Sequence, residues 1–480
     1  MKLFRHGRII IIVLTIISFQ GNMERTLAEN GPIPMPGDDT LPMPGDAIPM
    51  PGDDVPMPGE ESFPLPGEEP ASATPMVGQS RSNFPFELRG YVENTSTIEY
   101  LERLEEERLL NVSRMRVDLA GEPNASLDFG IGVVGTMHQG ATRVNVTNYF
   151  PGKVREQLVS GAEDLFTYQT ESEKLFVQEA FGTLYTDRFR LRVGRHKFYT
   201  GTGYAYNPID LLNAKNPMDP TYETDGLDAL LLTVDLPNQT QLQGLVRYAD
   251  RLKNSDYLLR LKTYLNGWDV ALQYTHHRKE RIDWETLNSE EALDDLMEGT
   301  PMDAYTRDFR RHLLGGEFAG EVFGFGVYGE GGYVLVEAPD EVGTLTDAAE
   351  DHERVMIGVD RTFDVQLYMM VEYLRFGQGA SDNDELSLND YMAVFGGEQI
   401  AMTQNTLFTG LSYPLSDFIE GSLYTIVNID DGSGLMNPWI IYDIRPGLKL
   451  SISLNIPFGG QNGANGNAGA SGFARLKLNF

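Results

Sequence analysis

The sequence predicts an all-β protein, a transmembrane antiparallel up-and-down β-barrel of about 18 strands, with roughly 16 to 20 possible. From Phe84 onward the chain breaks into segments about nine to eleven residues long, the length that crosses a bilayer as a tilted strand. Several of these segments alternate apolar and polar residues, and short turns alternate with longer connections along the chain. Together these observations favour a closed barrel over a soluble two-sheet protein.

The alternation is clearest at residues 448–458. Leu450 and Ile452 fall on one face of this segment, and Lys449 and Ser451 fall on the other. A period of two means that one face avoids water and the other seeks it. In a membrane barrel the apolar face meets lipid and the polar face lines the lumen.

The connections fall into two classes. Short turns are predicted at Gly121–Asn124, Asp187–Arg188, Pro237–Asn238, Asn266–Gly267, Gly320–Phe323, Phe363–Asp364, Pro414–Asp417 and Arg445–Gly447. Longer connections are predicted at 101–110, 139–173, 199–226, 250–256, 277–309, 338–352, 379–403, 429–437 and 459–471. Outer-membrane barrels have short periplasmic turns and long outer loops, and an even strand number places both barrel ends in the periplasm.

The N-terminus has the pattern of a secretory signal. Lys2, Arg5 and Arg8 precede an apolar run from Ile9 to Phe19, which is too short to span a bilayer as a helix. We expect residues 1–28 to be a signal peptide cleaved after Ala28, with 18–21 as the other cleavage region and a retained anchor as the alternative. The run is followed by no cysteine, which excludes a lipid-anchored lipoprotein.

Residues 29–83 are predicted to be a disordered, acidic periplasmic linker. The unit Pro-Met/Leu-Pro-Gly-Asp/Glu occurs five times, starting at Pro34, Pro42, Pro49, Pro56 and Pro64. A segment made of polyproline II and Pro-Gly turns cannot bury enough apolar surface to offset the conformational entropy that it would lose on ordering. The segment is interpreted as a solvated spacer. The alternative is that residues 29–70 form a tether that binds a periplasmic partner. Residues 84–480 then form the barrel.

Composition narrows the class of function. The chain has no cysteine and a formal net charge of −32. A secreted chain without disulfides must rely on packing and hydrogen bonds, as a closed barrel does. The acidic balance argues against nucleic-acid binding. No cofactor is implied.

The C-terminal segment predicts the strand that seals the barrel. Ala474, Leu476, Leu478 and Phe480 share one face, and charged or polar residues occupy the other. The segment resembles the C-terminal signal by which bacterial outer-membrane proteins are recognised by their assembly machinery, with Leu476, Leu478 and Phe480 as the signal residues. We expect it to pair with Phe86–Glu93.

Cationic residues on polar faces are candidates for the pore wall. With about 18 strands, side chains cannot fill the interior, so a water-filled or loop-plugged lumen is expected. Arg188, Arg190 and Arg192 form the richest inward series. Further lumen cations are Arg114, Arg116, Arg247, Arg260 and Lys262. They favour anionic solutes if they face water, but pairing with lumen carboxylates is the preferred interpretation.

The connection at 199–226 has an unusual composition. It is rich in Gly and carries two Asn-Pro-x-Asp units, at Asn207–Asp210 and Asn216–Asp219. Such turns impose a compact path, so we expect the loop to fold into the barrel and narrow it. Gly194-Arg195 followed by this loop resembles porin-like outer-membrane families, including the alginate-export-like barrels, which implies a pore. The candidate constriction residues are Arg188, Arg190, Arg192, Arg195, Lys197, Asn207, Asp210, Asn213, Asp219 and Asp225.

The remaining motifs do not favour catalysis or metal binding. His276 and His277 are adjacent on a strand and should point to opposite faces, which prevents them from sharing one ion or proton. No hydrolase, zinc-protease or phosphate-loop motif is present. The acidic outer loops are interpreted as a solvated surface near lipopolysaccharide, and Ser289 begins a predicted short helix.

These observations lead to two functional hypotheses. The first is an outer-membrane, porin-like channel for passive diffusion of small hydrophilic solutes, constricted by 199–226. The second is a barrel scaffold or sheath for a periplasmic or surface complex, such as an electron conduit, tethered through the acidic repeat. Expected partners are outer-membrane lipid, lipopolysaccharide and the barrel-assembly machinery.

Overall fold

The computed structural model describes residues 86–101, 106–213, 215, 223–249, 254–382, 385–397, 399–460, 463–465 and 469–480. The predicted signal peptide and linker lie outside these residues. The strands are β1 Phe86–Leu101, β2 Glu106–Asn124, β3 Leu127–Gly140, β4 Arg143–Asn145, β5 Thr167–Gln169, β6 Glu173–Tyr185, β7 Phe189–His196, β8 Leu227–Leu236, β9 Thr240–Arg247, β10 Asp256–Leu265, β11 Trp268–Ile282, β12 Thr306–Val322, β13 Phe325–Glu337, β14 His352–Thr362, β15 Tyr368–Phe376, β16 Asn405–Ser416, β17 Ile419–Asn428, β18 Gly434–Arg445, β19 Leu448–Phe458 and β20 Ala470–Asn479.

Eighteen of these strands form one closed antiparallel sheet. Each pairs with its neighbours along the chain, β3 pairs with β6, and β20 pairs with β1. The short strands β4 and β5 form a separate two-stranded sheet inside the connection between β3 and β6. The predicted up-and-down barrel and its strand number are therefore confirmed.

The seam of the barrel lies between the last strand and the first. The register runs from Tyr91 opposite Asn479 to Tyr100 opposite Ala470. Beyond it, the backbones of Gly90 and Phe480 exchange two hydrogen bonds, both 2.9 Å. Closure is confirmed, and the predicted partner segment Phe86–Glu93 is right for Gly90–Glu93 but wrong for Phe86–Arg89, since the pairing continues to Tyr100 instead. A barrel closes with its strands staggered, so β20 meets the later part of β1 and leaves the start of β1 paired to β2 alone.

The barrel wall is apolar outside and polar inside. Leu272 and Leu314 face outward and are 63% and 70% exposed, whereas Glu330 and Glu372 face inward and are 3% and 0% exposed. The outward positions of the other strands are also mostly Leu, Ile, Val, Met and Tyr. Water does not favour an exposed apolar band of this size, but the hydrocarbon core of a bilayer does. The fold is that of a transmembrane β-barrel.

Helices contribute little to the architecture. They are α1 Gly152–Glu156, α2 Trp284–Leu287, α3 Glu290–Met297 and α4 Leu388–Phe395, together with 3₁₀ turns at Val146–Tyr149, Ala162–Phe166, Met302–Tyr305 and Asp347–Ala349. The Ser289 hydroxyl accepts from the Ala292 amide at 3.2 Å and caps α3, as the sequence predicted. Within the described ranges, no helix has the length and apolar character needed to cross a membrane.

The two ends of the barrel differ as predicted. Eight connections of two to five residues lie at one end, here called the turn end, where β1 begins and β20 ends. Nine connections of four to 32 residues lie at the other, the loop end. Loops at this end interlock through the buried Asp283 carboxylate, which accepts from the Thr344 amide at 2.9 Å and the Asn389 side chain at 3.4 Å. Three of the loops at this end are therefore joined to one another.

Candidate functional site

The connection between β7 and β8 crosses the interior of the barrel. We call residues 197–226 the lumen loop; residues 214 and 216–222 of it, including the candidate Asp219, lie outside the described residues. The Tyr204 hydroxyl is 3.2 Å from that of Tyr424, and its ring lies 5.8 Å from that of Phe408. Tyr424 and Phe408 belong to β17 and β16, on the side of the ring opposite β7 and β8. The loop thus reaches from one wall to the other.

Three inward-facing carboxylates hold the lumen loop by its backbone. We call Glu317, Glu330 and Glu372, on β12, β13 and β15, the carboxylate clamp. Glu317 accepts from the amide of Gly201 at 2.8 Å, and Glu330 accepts from that of Gly203 at 3.0 Å.

Glu330 also accepts from the amide of Ile209 at 3.4 Å, which brings two separate parts of the loop onto one carboxylate. Glu372 accepts from the amides of Tyr204 and, at 2.9 Å, Ala205. Leaving a buried hydrogen-bonding group without its partner costs about 1–3 kcal/mol, so these five backbone hydrogen bonds are a strong attachment.

Two glycines allow the loop to approach the clamp this closely. Gly201 has φ +98°, and a β-carbon there would lie 2.5 Å from a Glu330 oxygen. A β-carbon on Gly203 would lie 1.8 Å from the carbonyl oxygen of Tyr206. The Gly-rich composition that predicted a compact loop is therefore required by the attachment itself.

The Asn-Pro-x-Asp unit builds the loop from within. The Asp210 carboxylate accepts from the amides of Leu212 and Asn213 at 2.9 and 3.0 Å, and it is 5% exposed. Burial raises the pKa of Asp210, and these hydrogen bonds oppose the rise. The side chains of Asn207 and Asn213 donate to the carbonyls of Thr200 and Phe198. Asn207, Asp210 and Asn213 were predicted to line the constriction; instead their polar groups are used inside the loop.

The second end of the loop is anchored to the seam region. Glu223 lies 2.9 Å from Arg116, 3.6 Å from Arg114 and 3.9 Å from Lys477. Burial alone would raise the pKa of Glu223, but the nearby cations, Lys197 first among them, lower it. Glu223 is therefore held as a carboxylate among lumen cations.

A cavity of about 300 Å³ remains beside the lumen loop. Four cations line it: Arg190, Arg192, Lys197 and Arg260. Its other lining residues are Thr183, Tyr185, Phe198, Tyr199, Leu231, Thr233 and Gln243. Among the residues that the structure describes, the lining contains no carboxylate. Three of the ten predicted constriction residues meet here.

The remaining lumen candidates form ion pairs. Arg116 also contacts Asp118 at 2.8 Å, and Arg260 pairs with Glu317. Arg247 lies 2.5 Å from Asp256, and Lys262 lies 3.7 Å from Asp269. These cations stabilise the wall against the carboxylates of neighbouring strands.

Three predicted constriction residues lie elsewhere. Arg188 is exposed in the turn before β7. Arg195 is paired across the sheet with Ala180 and Asp228, on the outward face that also carries Val193, and it donates to Asp228 at 2.9 Å. Alternation along β7 dictates this orientation, because Arg195 is an odd number of residues from Arg190 and Arg192. Asp225 accepts from the Gln178 side chain at 3.4 Å.

The predicted assembly residues lie on the last strand. Leu476 and Leu478 are paired across the seam with Asn94 and Val92 on the outward face. Phe480 is 55% exposed at the turn end and packs over Gly90.

The two adjacent histidines point to opposite faces, as predicted. The His277 ring is buried and lies 3.0 Å from Asp256, whereas the His276 ring lies tilted against that of His312, 4.7 Å between ring centroids, on the outer face. Within the described part of the chain, no group of three His, Cys, Asp or Glu side chains could hold a metal ion.

The sequence interpretation missed the carboxylate clamp. Each clamp residue is a lone carboxylate in the middle of a strand with an apolar outward face, as in Gly329-Glu330-Gly331. Ionisable groups within a membrane span are costly and mark functional or structural attachments. A lone carboxylate within a membrane-spanning strand was therefore the sequence signal that could have identified the clamp.

The fold and this interior define a transmembrane β-barrel whose lumen is crossed by one of its own loops. Among solved structures, the chain is similar to OccAB4 of Acinetobacter baumannii, with 10% identity, a TM-score of 0.47 and coverage of 83% of this chain and 98% of that one. It is also similar to OccD3 (OpdP) of Pseudomonas aeruginosa, with 9% identity, a TM-score of 0.44 and coverage of 82% and 91%. A triple mutant of the Rhodopseudomonas blastica porin shows 11% identity, a TM-score of 0.39 and coverage of 82% and 100%. No protein-family model matches the sequence, and no curated protein matches it.

Proposed function

We propose that the protein is an outer-membrane, porin-like channel for passive diffusion of small hydrophilic solutes, and that the lumen loop constricts it. The observation that carries the proposal is the lumen loop fixed across the interior by the carboxylate clamp, with a cavity of about 300 Å³ left beside it. A barrel of 18 strands is wide enough for an aqueous channel, so the loop determines how much of that width remains.

Planar-bilayer recording of the refolded full-length protein tests this function. We expect discrete conductance steps, and a larger conductance when residues 203–222 are deleted. Unchanged conductance in the deletion variant would show that the loop does not set the aperture. A barrel that stays sealed with and without the loop would favour the scaffold or sheath hypothesis instead.

The exterior supports placement in an outer membrane. The exposed apolar band surrounds the ring, and Phe480 lies at its turn end. We propose that the turn end faces the periplasm, with residues 29–83 there as a linker, and that the loop end faces lipopolysaccharide. Deleting Phe480 should lower the amount of protein in the outer membrane without changing the conductance of the molecules that assemble. Phe395→Ala, which removes an exposed aromatic from the loop end, is the control.

A further inference from the structure

The charged side chains that line the cavity beside the lumen loop are all cations, and all of them are hydrogen-bond donors. Arg190 and Arg192 lie on the same face of β7, Arg260 comes from β10, and Lys197 from the start of the lumen loop. The hydroxyls of Thr183 and Tyr185 line the same space. Cations from three segments thus converge on one volume, in a protein whose formal net charge is −32.

The carboxylates near these cations stand outside the lining and are shared with other donors. Asp235 is 3.6 Å from Arg190 and also accepts from Gln241 at 3.0 Å. Glu317 pairs with Arg260 while its other oxygen accepts from the Gly201 amide. These carboxylates offset the charges of Arg190 and Arg260, and Glu223 offsets that of Lys197, so the cation that most determines the potential of the cavity is Arg192.

Arg192 has neutral partners. Its Nε donates to the Thr183 hydroxyl at 2.9 Å, and its guanidinium lies 4.5 Å from the centre of the Phe181 ring. Both contacts orient the guanidinium, and neither of them neutralises its positive charge. A planar guanidinium held in this way matches the geometry of a carboxylate or phosphate group.

Building on the proposed channel function, we propose that this cavity is an anion-binding site and that the channel selects small solutes carrying carboxylate or phosphate groups. The cavity volume of about 300 Å³ corresponds to about ten water molecules at about 30 Å³ each. That space fits a small di- or tricarboxylate or a phosphorylated small molecule, and it is too small for a folded polymer. Phe198 and Tyr199 narrow the water-filled section, which strengthens the field that a passing anion experiences.

Reversal potentials across a KCl gradient test the selectivity. We expect the full-length protein to prefer chloride over potassium, and the preference to fall at least several-fold in Arg192→Gln. Lys449→Gln removes a charge from β19, outside the cavity lining, and should leave the preference close to that of the original protein. Lys197→Gln lies outside the strands and provides a second cavity variant should Arg192→Gln not fold.

Potassium citrate and potassium phosphate test binding directly. Added to one side, each should reduce the chloride current in a saturable manner, and Arg192→Gln should weaken the block at least several-fold. Cation preference in the original protein, or equal behaviour of the Arg192 and Lys449 variants, would overturn the anion site while leaving the channel intact. Absence of conductance in every variant, including the 203–222 deletion, would instead overturn the channel function on which this inference rests.

Discussion

The two walls of the lumen differ in the groups that they present and in what lies in front of them. On β12–β15 the inward groups include the carboxylate clamp, and the lumen loop lies directly in front of the clamp. On β6–β10 the inward charges include Arg190, Arg192 and Arg260, and the space in front of them is the cavity. One interior is therefore packed on one side and open on the other.

The hydrogen-bonding capacity of these groups explains the difference. A polypeptide loop with glycines can turn several backbone N–H groups toward one point, which makes it a good ligand for carboxylates. Guanidinium and ammonium groups only donate, so they cannot accept from such converging N–H groups. The clamp carboxylates therefore bind the loop, whereas Arg190, Arg192 and Arg260 line the cavity.

The apolar contacts follow the same division. Loop residues Ala205 and Tyr206 are buried with Met356, Met370 and Phe408, close to the clamp. Burial of apolar surface contributes about 25 cal/mol per Å², so this packing adds to the hydrogen bonds of the clamp. The loop is attached to the clamp wall by both means.

Replacing two carboxylates of the clamp should have the largest effect on the difference between the wall that holds the loop and the wall that faces the cavity. In the double variant Glu330→Gln and Glu372→Gln, the side-chain NH2 group replaces one accepting oxygen and faces the N–H groups of the loop, at a cost of about 1–2 kcal/mol per site. We expect the loop to leave the wall and the single-channel conductance to rise toward that of the 203–222 deletion.

The matched control for the clamp variant is Glu420→Gln, which changes an inward carboxylate on β17 that accepts from the Ser422 hydroxyl at 3.3 Å. It should leave the conductance unchanged. If the clamp variant conducts like the original protein, the carboxylates do not hold the loop in place.

A single methyl group should disturb the same attachment more mildly. Gly203→Ala places a β-carbon 1.8 Å from the Tyr206 carbonyl oxygen, so the loop must shift at a cost of about 1–3 kcal/mol. We expect noisier single-channel currents and faster proteolysis within the loop. Gly244→Ala, on β9, meets nothing within 4 Å and serves as the control. Identical proteolysis of the two variants would argue against a close approach at Gly203.

Acidification should release the other end of the loop. The pKa of Glu223 is lowered below its ordinary value of 4.5 because Lys197, Arg116 and Arg114 outweigh the effect of burial. A lowered carboxylate pKa stabilises the structure above the ordinary value, and this contribution is lost as pH falls through the lowered one. Hydrogen exchange at 223–226, corrected for intrinsic rates, should therefore quicken at low pH.

Glu223→Gln separates this effect from other acid effects. The variant should exchange quickly at neutral pH and show a smaller further change on acidification, since the titrating group is gone. An unchanged pH dependence would mean that Glu223 does not anchor the segment.

The fold could be predicted because its signals are local. Alternation within a strand and turn chemistry between strands depend on neighbouring residues, as in Leu450 and Ile452 or the turn at Asn266–Gly267. The same alternation places Arg195 outside the lumen. Its assignment to the constriction was therefore wrong although the sequence contained the information needed to place it on the outward face.

The site could be predicted only in part because its contacts are distant in sequence. Glu372 meets Ala205 across 167 residues, and only the closed ring brings them together. The Asn-Pro-x-Asp unit did indicate a compact loop, but whether Asp210 faces solutes or its own backbone depends on a local fold that composition does not specify. The register at the seam likewise depends on the stagger of the whole barrel.

The smallest expected effect lies at the support of Arg192. Thr183→Val removes the hydroxyl that accepts from Arg192 Nε at 2.9 Å but keeps the shape of the side chain and the charge of the cavity. The guanidinium stays over the Phe181 ring with more freedom, so anion preference should fall by less than in Arg192→Gln. Thr233→Val changes another threonine in the same lining and is the control. A loss as large as that of Arg192→Gln would mean that orientation, more than charge, makes the open wall selective, whereas no difference between the two threonine variants would assign the selectivity to charge alone.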